Sequence, residues 1–184
     1  MRNGYEAAFT YLLDVPLRLS SMDVFRITDL HRCLFGTLYR DAGRLRGPED
    51  HPIFGGRLGK DYLEVPALLV QLARMPLAHP AHWSVPPADD ADYVERLVFI
   101  ANYHAALVML HPFRDGNGRL GRLVSTWQET CLFLTPRQPM PRAAYVAGLE
   151  PLPGDLQILV NFFLMRHGLP LSGLGPLPPS FPVW

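Results

Sequence analysis

The stretch His111-Pro112-Phe113-Arg114-Asp115-Gly116-Asn117-Gly118-Arg119-Leu120-Gly121-Arg122 decides the reading of this chain. It joins two apolar segments that read as helices. Gly116 and Gly118, with one residue between them, let the backbone take conformations closed to other residues. Successive N–H groups then turn into one concavity, an anion-binding nest. A helix that begins just after the nest adds its unpaired N–H groups and the positive end of its dipole. Arg119 and Arg122 stand three apart on that helix and share a face. Guanidinium forks match phosphate oxygens two at a time. The pattern therefore points to a polyphosphate. Such a ligand brings Mg²⁺, which takes hard oxygen ligands and keeps several waters. Asp115 is the one carboxylate in the loop and the candidate ligand. His111 ends the preceding helix, and an imidazole there can take a proton from a hydroxyl nucleophile near neutral pH. Phe113 is the expected anchor of the loop against the core.

Outward from the loop, the chain reads as mostly helical. Asp89 or Asp90 can cap a long helix that runs to about Leu110, with Tyr93, Leu97, Ala101, His104 and Val108 near one face. The helix after the loop, from about Gly118, turns Leu120, Leu123, Val124, Trp127 and Cys131 inward. Upstream, Tyr5 to Asp14 is a short candidate helix. Thr28 can cap another, with Leu30, Leu34 and Leu38 at four-residue spacing. His51 to Lys60 reads as a small hairpin: Ile53 and Phe54 favour a strand, and Gly55-Gly56 suit a tight turn. Glu64 to Met75 is a helix with Pro66 in its first turn, followed by a Pro-rich loop from Pro76 to Pro87. Shorter helices are expected over Arg142 to Leu149 and Asp155 to His167, the last stopped by Gly168. The expected organisation is one all-α domain over residues 1–168, with its core at about 28–165. A Pro/Gly-rich tail without charge follows over 169–184.

Bulk composition narrows the function classes. Apolar residues make up 48% and charged residues 18%, which is globular composition and excludes a disordered chain. The formal net charge is zero, so total charge gives no support to a broad nucleic-acid or membrane-binding surface. Lys60 is the only lysine, so a phosphate site here must be built from Arg, backbone N–H groups or metal. Cys33 and Cys131 are isolated and read as reduced core residues of a cytoplasmic protein. Leu97 to Leu110 is too short to span a bilayer, and the N-terminus lacks a signal pattern. Delivery by a specialised secretion system would leave no mark of this kind.

The loop resembles the motif of the Fic family, His-x-Phe-x-Asp/Glu-Gly-Asn-Gly-Arg-x-x-Arg, at every specified position from His111 to Arg122. The resemblance extends to Leu30-His31-Arg32-Cys33-Leu34-Phe35-Gly36, to Ala42-Gly43 with Arg46, and to Gly154-Asp155-Leu156. It covers roughly Leu30 to Phe163. It implies a compact all-α core with a β-hairpin flap, here His51 to Lys60, that pairs with target backbone through Ile53, Phe54, Gly55 and Gly56. It implies a protein adenylyltransferase that moves AMP from Mg-ATP to a Ser, Thr or Tyr hydroxyl and releases pyrophosphate. His111 would be the general base and Asp115 would hold Mg²⁺. Gly116, Asn117 and Gly118 would cradle and position the phosphates, and Arg119 and Arg122 would bind the distal ones. Asp41 stands where the family often has Trp. The family's inhibitory Ser/Thr-x-x-x-Glu-Gly/Asn helix has no match; Ser125 to Glu129 has the spacing, but Thr130 follows. The implied protein is either uninhibited or restrained by a separate antitoxin-like partner whose Glu would land on Arg122. Alternatives within the same site are UMP, GMP, phosphoryl or phosphocholine transfer, or a toxin-type module held silent.

Other readings of the same residues are weaker. Gly116, Gly118 and Gly121 spell a dinucleotide fingerprint, but that needs a preceding strand and here a helix precedes. A calcium loop fails because Arg119 and Leu120 replace required residues. His104 and His31 read as hydrogen-bonded core histidines, and Arg40, Arg44 and Arg46 as a solvated basic cluster.

Overall fold

The computed structural model describes residues 2–54, 57–78, 81–137, 141–152 and 155–169. Seven α-helices lie among them: α1 (Arg2–Leu13), α2 (Val24–Phe35), α3 (Val65–Arg74), α4 (Asp90–Leu110), α5 (Asn117–Cys131), α6 (Arg142–Leu149) and α7 (Gln157–His167). A two-stranded antiparallel hairpin, β1 (Ile53–Phe54) and β2 (Arg57–Leu58), pairs Ile53 with Leu58 and Phe54 with Arg57. The fold is all-α with this hairpin as its one sheet among the described residues. Gly55 and Gly56, assigned to the hairpin turn, lie outside them, as do Gly154 and the tail from residue 170 onward.

The organising element is α4. Asp89 caps it, its carboxylate accepting from the Asp92 N–H at 2.9 Å. From Arg96 to Val108 every residue is buried. A helix covered on all sides needs neighbours all round, and α3, α5 and α7 supply them. Arg96 is fully buried yet satisfied: its guanidinium grips both oxygens of Asp92 and donates to the carbonyls of Val85 and Leu132. That arrangement meets the condition for burying a charge. The hydrophobic core runs without a break from Ala8 on α1 to Leu164 on α7.

Helix starts depart from expectation at α1, which begins at Arg2 rather than Tyr5, at α7, which begins at Gln157 rather than Asp155, and at α2. Asp23, not Thr28, caps α2, its carboxylate accepting from the Arg26 N–H at 2.8 Å. An ionised carboxylate is the stronger cap, and Thr28 sits inside the helix with its hydroxyl bonded back to the Phe25 carbonyl. Leu38 falls beyond the helix and is exposed, so the core face is carried by Ile27, Leu30 and Leu34. The Pro-rich loop contains two 3₁₀ turns, Met75–Ala78 and Ala81–Ser84, the second burying Trp83. Gly168 ends α7 in the left-handed conformation, as expected.

Candidate nucleotide site

The loop between α4 and α5 is pinned from both sides. His111 ends α4 in the left-handed region, at φ 48° and ψ 59°, which turns the chain sharply off the helix axis. Phe113 is fully buried and stacks on His31 of α2 at 3.9 Å between ring centroids. Asn117 closes the loop: its Oδ1 accepts from the Phe113 N–H at 3.0 Å, and its Nδ2 donates to the Phe113 carbonyl at 2.7 Å. The Asn117 side chain thus holds the loop's shape. What it offers to a ligand is its backbone N–H at the helix start.

Gly116 precedes α5 in the left-handed region, at φ 84°, and no side chain caps the helix. The N-terminal N–H groups of α5 therefore have no side-chain cap, the condition in which a helix start can take an anion. A Cβ on Gly116 would sit 2.5 Å from the Phe35 ring, so the position requires glycine on both counts.

Asp115 is exposed but oriented. Its Oδ2 accepts from the Tyr39 hydroxyl at 2.5 Å and pairs with Arg119 at 3.2 Å, while Oδ1 accepts from the Gly116 N–H at 2.6 Å. The Tyr39 hydrogen bond, with help from the Gly116 N–H and Arg119, holds its pKa below the usual carboxylate value. It is ionised at neutral pH and faces a cavity of about 380 Å³, lined also by Tyr39, Asp41, Arg44 and Arg114. A single hard carboxylate beside an anion nest fits a Mg²⁺ ion carried in on phosphates, which needs few protein ligands. No group of three His, Cys, Asp or Glu side chains among the described residues forms a metal cage of its own.

The two arginines diverge. Arg119 lies over the Phe35 ring at 4.5 Å, on the α2 side. Arg122 lies over the Tyr145 ring at 4.7 Å, on the α6 side. They bracket the start of α5. Behind Arg122, the Tyr145 hydroxyl meets His104 Nε2 at 3.0 Å, and His104 Nδ1 meets the Ser125 hydroxyl at 2.8 Å. Burial pushes the His104 pKa down to about 3, so this ring is a neutral strut.

His111 is partly buried, and burial lowers its pKa below the ordinary imidazole value. Its Nδ1 approaches the Val108 carbonyl at 3.4 Å. A carbonyl only accepts, so Nδ1 carries the proton and the basic lone pair belongs to Nε2.

His31, expected as a hydrogen-bonded core histidine, is one and also holds the loop, while Tyr39 and Arg46 join the site unexpectedly. His31 accepts from the Gly43 N–H on Nδ1 at 2.8 Å, so its Nε2–H donates to the Asp115 carbonyl at 3.0 Å. Tyr39 orients Asp115. Arg46, assigned to a solvated cluster, is buried, with its guanidinium on the His111 carbonyl. His31, Phe35 and Tyr39 follow the same four-residue spacing as Leu30, Leu34 and Leu38, one residue along. That stripe was the signal available for His31 and Tyr39. Glu129, which had the spacing of an inhibitory glutamate, is buried in an ion pair with Arg166 and hydrogen-bonded to His167 Nε2 at 3.1 Å, where α5 meets α7.

A model of the Fic/DOC family matches residues 21–128, more than half of the 184 residues. The chain belongs to the Fic/DOC family. Among solved structures, a fragment of Fic-1 from C. elegans superposes with a TM-score of 0.69 at 25% identity, over 90% of this chain. The chain spans about half, 47%, of that Fic-1 fragment. The N-terminal Fic domain of a Bartonella quintana Bep effector, solved with ADP, gives a TM-score of 0.69 at 16% identity, over 90% of this chain and 81% of its own. BepC of Bartonella tribocorum, solved with AMPPNP, gives 0.60 at 16% identity, over 90% of this chain and 82% of its own. At those identities the likeness concerns the fold. No curated protein shows a significant match to the chain. No described helix of this Fic-family chain is long and apolar enough to cross a membrane.

Proposed function

We propose that this Fic-family chain is a protein adenylyltransferase, transferring AMP from Mg-ATP to a Ser, Thr or Tyr hydroxyl of a target protein. The observation that carries the reading is the juxtaposition, in one loop, of a neutral imidazole at His111, an ionised carboxylate at Asp115 and an uncapped helix start flanked by two arginines. The ADP and AMPPNP in the two Bartonella domains are consistent with a nucleotide at this loop.

The target hydroxyl gives its proton to His111 Nε2 as its oxygen bonds to the α-phosphorus. The bond from that phosphorus to the bridging oxygen breaks, and pyrophosphate leaves with the electron pair. The nest at Gly116 to Gly118 and the guanidinium groups of Arg119 and Arg122 hold charge on the phosphates, and do so already oriented. Bound through Asp115, Mg²⁺ would neutralise phosphate charge. Tyr39 and His31 keep the Asp115 carboxylate and carbonyl in place. The hairpin presents the target backbone, with Ile53 and Phe54 on its first strand. An inhibitor acting in trans would place a carboxylate on Arg122.

The loop reads phosphates rather than bases. Calorimetry with Mg²⁺ and a panel of ATP, UTP and GTP therefore tests the donor. Preference for ATP, with an adenylyl adduct found on lysate proteins by mass spectrometry, supports the reading. Binding of UTP or GTP alone refutes the choice of AMP.

A further inference from the structure

Arg46 does more than fill a buried site. Its Nε donates to the His111 carbonyl at 2.8 Å, its Nη2 to the Lys60 carbonyl at 2.5 Å, and its Nη1 reaches the Asp50 carbonyl at 3.4 Å. Its backbone N–H donates to the Pro112 carbonyl at 2.9 Å. Asp50 and Lys60 are the chain on either side of the hairpin, so one guanidinium hangs both feet of the flap from the residue carrying the base. The side chain is only 5% exposed, which makes these bonds costly to leave unmade.

The geometry needs arginine. Its planar fork sends rigid N–H groups in several directions at once, whereas an ammonium is a single point on a flexible stem. The His111 carbonyl also needs a partner from outside its helix. It belongs to the left-handed cap of α4, and a cation suits a helix C-terminus.

We propose that Arg46 is a positioning residue that couples the flap to the catalytic loop, so that the hairpin feet and the His111 backbone open and close as one unit. A target strand docking on the flap then acts on the seat of the base through a single side chain. The phosphate nest makes no bond with Arg46, so nucleotide binding stands outside this coupling. The proposal rests on the reading of His111 as base and of the hairpin as the target-facing edge.

The test is hydrogen–deuterium exchange on the full chain, wild type and Arg46→Lys, with AMPPNP affinity measured by calorimetry in the presence of Mg²⁺. In Arg46→Lys, exchange should rise about tenfold in both 50–60 and 111–117, while buried α4 amides keep their protection. The AMPPNP Kd should stay within about twofold, because Gly116 to Arg122 are untouched. With α-labelled ATP, kcat for target labelling should fall about tenfold at unchanged KM for ATP. A rise confined to one segment overturns the coupling. So does a general loss of protection with weakened nucleotide binding, which marks a staple of the whole fold. Should Arg46→Lys fail to fold, the wild type decides. In sub-denaturing urea the two segments must open with the same urea dependence, and separate openings refute the proposal. Joint opening with no protein labelling by wild type sinks the adenylyl-transfer reading and leaves the coupling intact.

Discussion

Gly116→Ala is the smallest change that should damage the site, and its cost can be worked from the backbone and one ring. At φ 84° an alanine sits where a Cβ crowds the following carbonyl, which costs about 1–2 kcal/mol. The same Cβ would stand 2.5 Å from Phe35 Cε2, so the ring must move. Phe35 is almost wholly buried between His31 and Tyr39, and it carries the Arg119 guanidinium. Overpacking of this kind costs about 1–3 kcal/mol. The total is about 3 kcal/mol, which for a domain of this size lowers Tm by about 6–12 °C. Displacing Phe35 also shifts Arg119, so AMPPNP affinity should fall by about tenfold. Thermal melts and calorimetry read the two effects. Gly47→Ala is the matched control, since a Cβ there meets nothing within 4 Å. A Gly116→Ala protein that melts within about 2 °C of wild type and binds AMPPNP as tightly would refute the steric and conformational argument.

Three further outcomes are expected. Because burial lowers the His111 pKa, the base stays unprotonated to more acid pH, and the acid limb of the transfer rate should fall below pH 6.5; a limb above 6.5 contradicts that environment. His104, at about 3 in the fold against 6.5 when exposed, takes up its proton on unfolding within that window. Stability should therefore fall as pH drops below 6.5, by about 2 kcal/mol at pH 5 from this group alone, and urea titrations showing no loss between pH 7 and 5 would contradict it. Tyr39→Phe removes the largest influence holding the Asp115 pKa down, so that pKa should rise toward 3.8 in an NMR titration of the carboxyl carbon; no movement would deny Tyr39 its orienting role.

The shape of the loop was legible because it is local. The order of His111, Asp115, two nest glycines and two arginines encodes a helix end, a turn and a helix start, and glycine placement and charge type survive in one dimension. Helix periodicity likewise showed the core faces of α4 and α5, although α4 is buried on all sides, which a single stripe does not convey. What could not be read is what arrives from a distance. Tyr39 reaches Asp115 across 76 positions and Arg46 reaches His111 across 65, and neither side chain carries a local sign of its partner. Arg46 misled for a further reason: flanked by charged and flexible residues, it looks solvated, and its burial depends on three carbonyls converging from separate segments. The two arginines of the motif share a face by spacing, yet Phe35 and Tyr145 draw their guanidinium groups to opposite sides.

The most direct test of adenylyl transfer is isotopic. Purified protein, Mg²⁺ and a cell lysate are incubated with ATP labelled at the α-phosphate or at the γ-phosphate, beside a His111→Ala control. Label should pass to protein from the α position only, and the control should lose it by about 10²–10⁴-fold, the scale of a general base. Label from the γ position would mean phosphoryl transfer and would contradict the mechanism. Equal α-labelling by His111→Ala would remove the base from its assigned role.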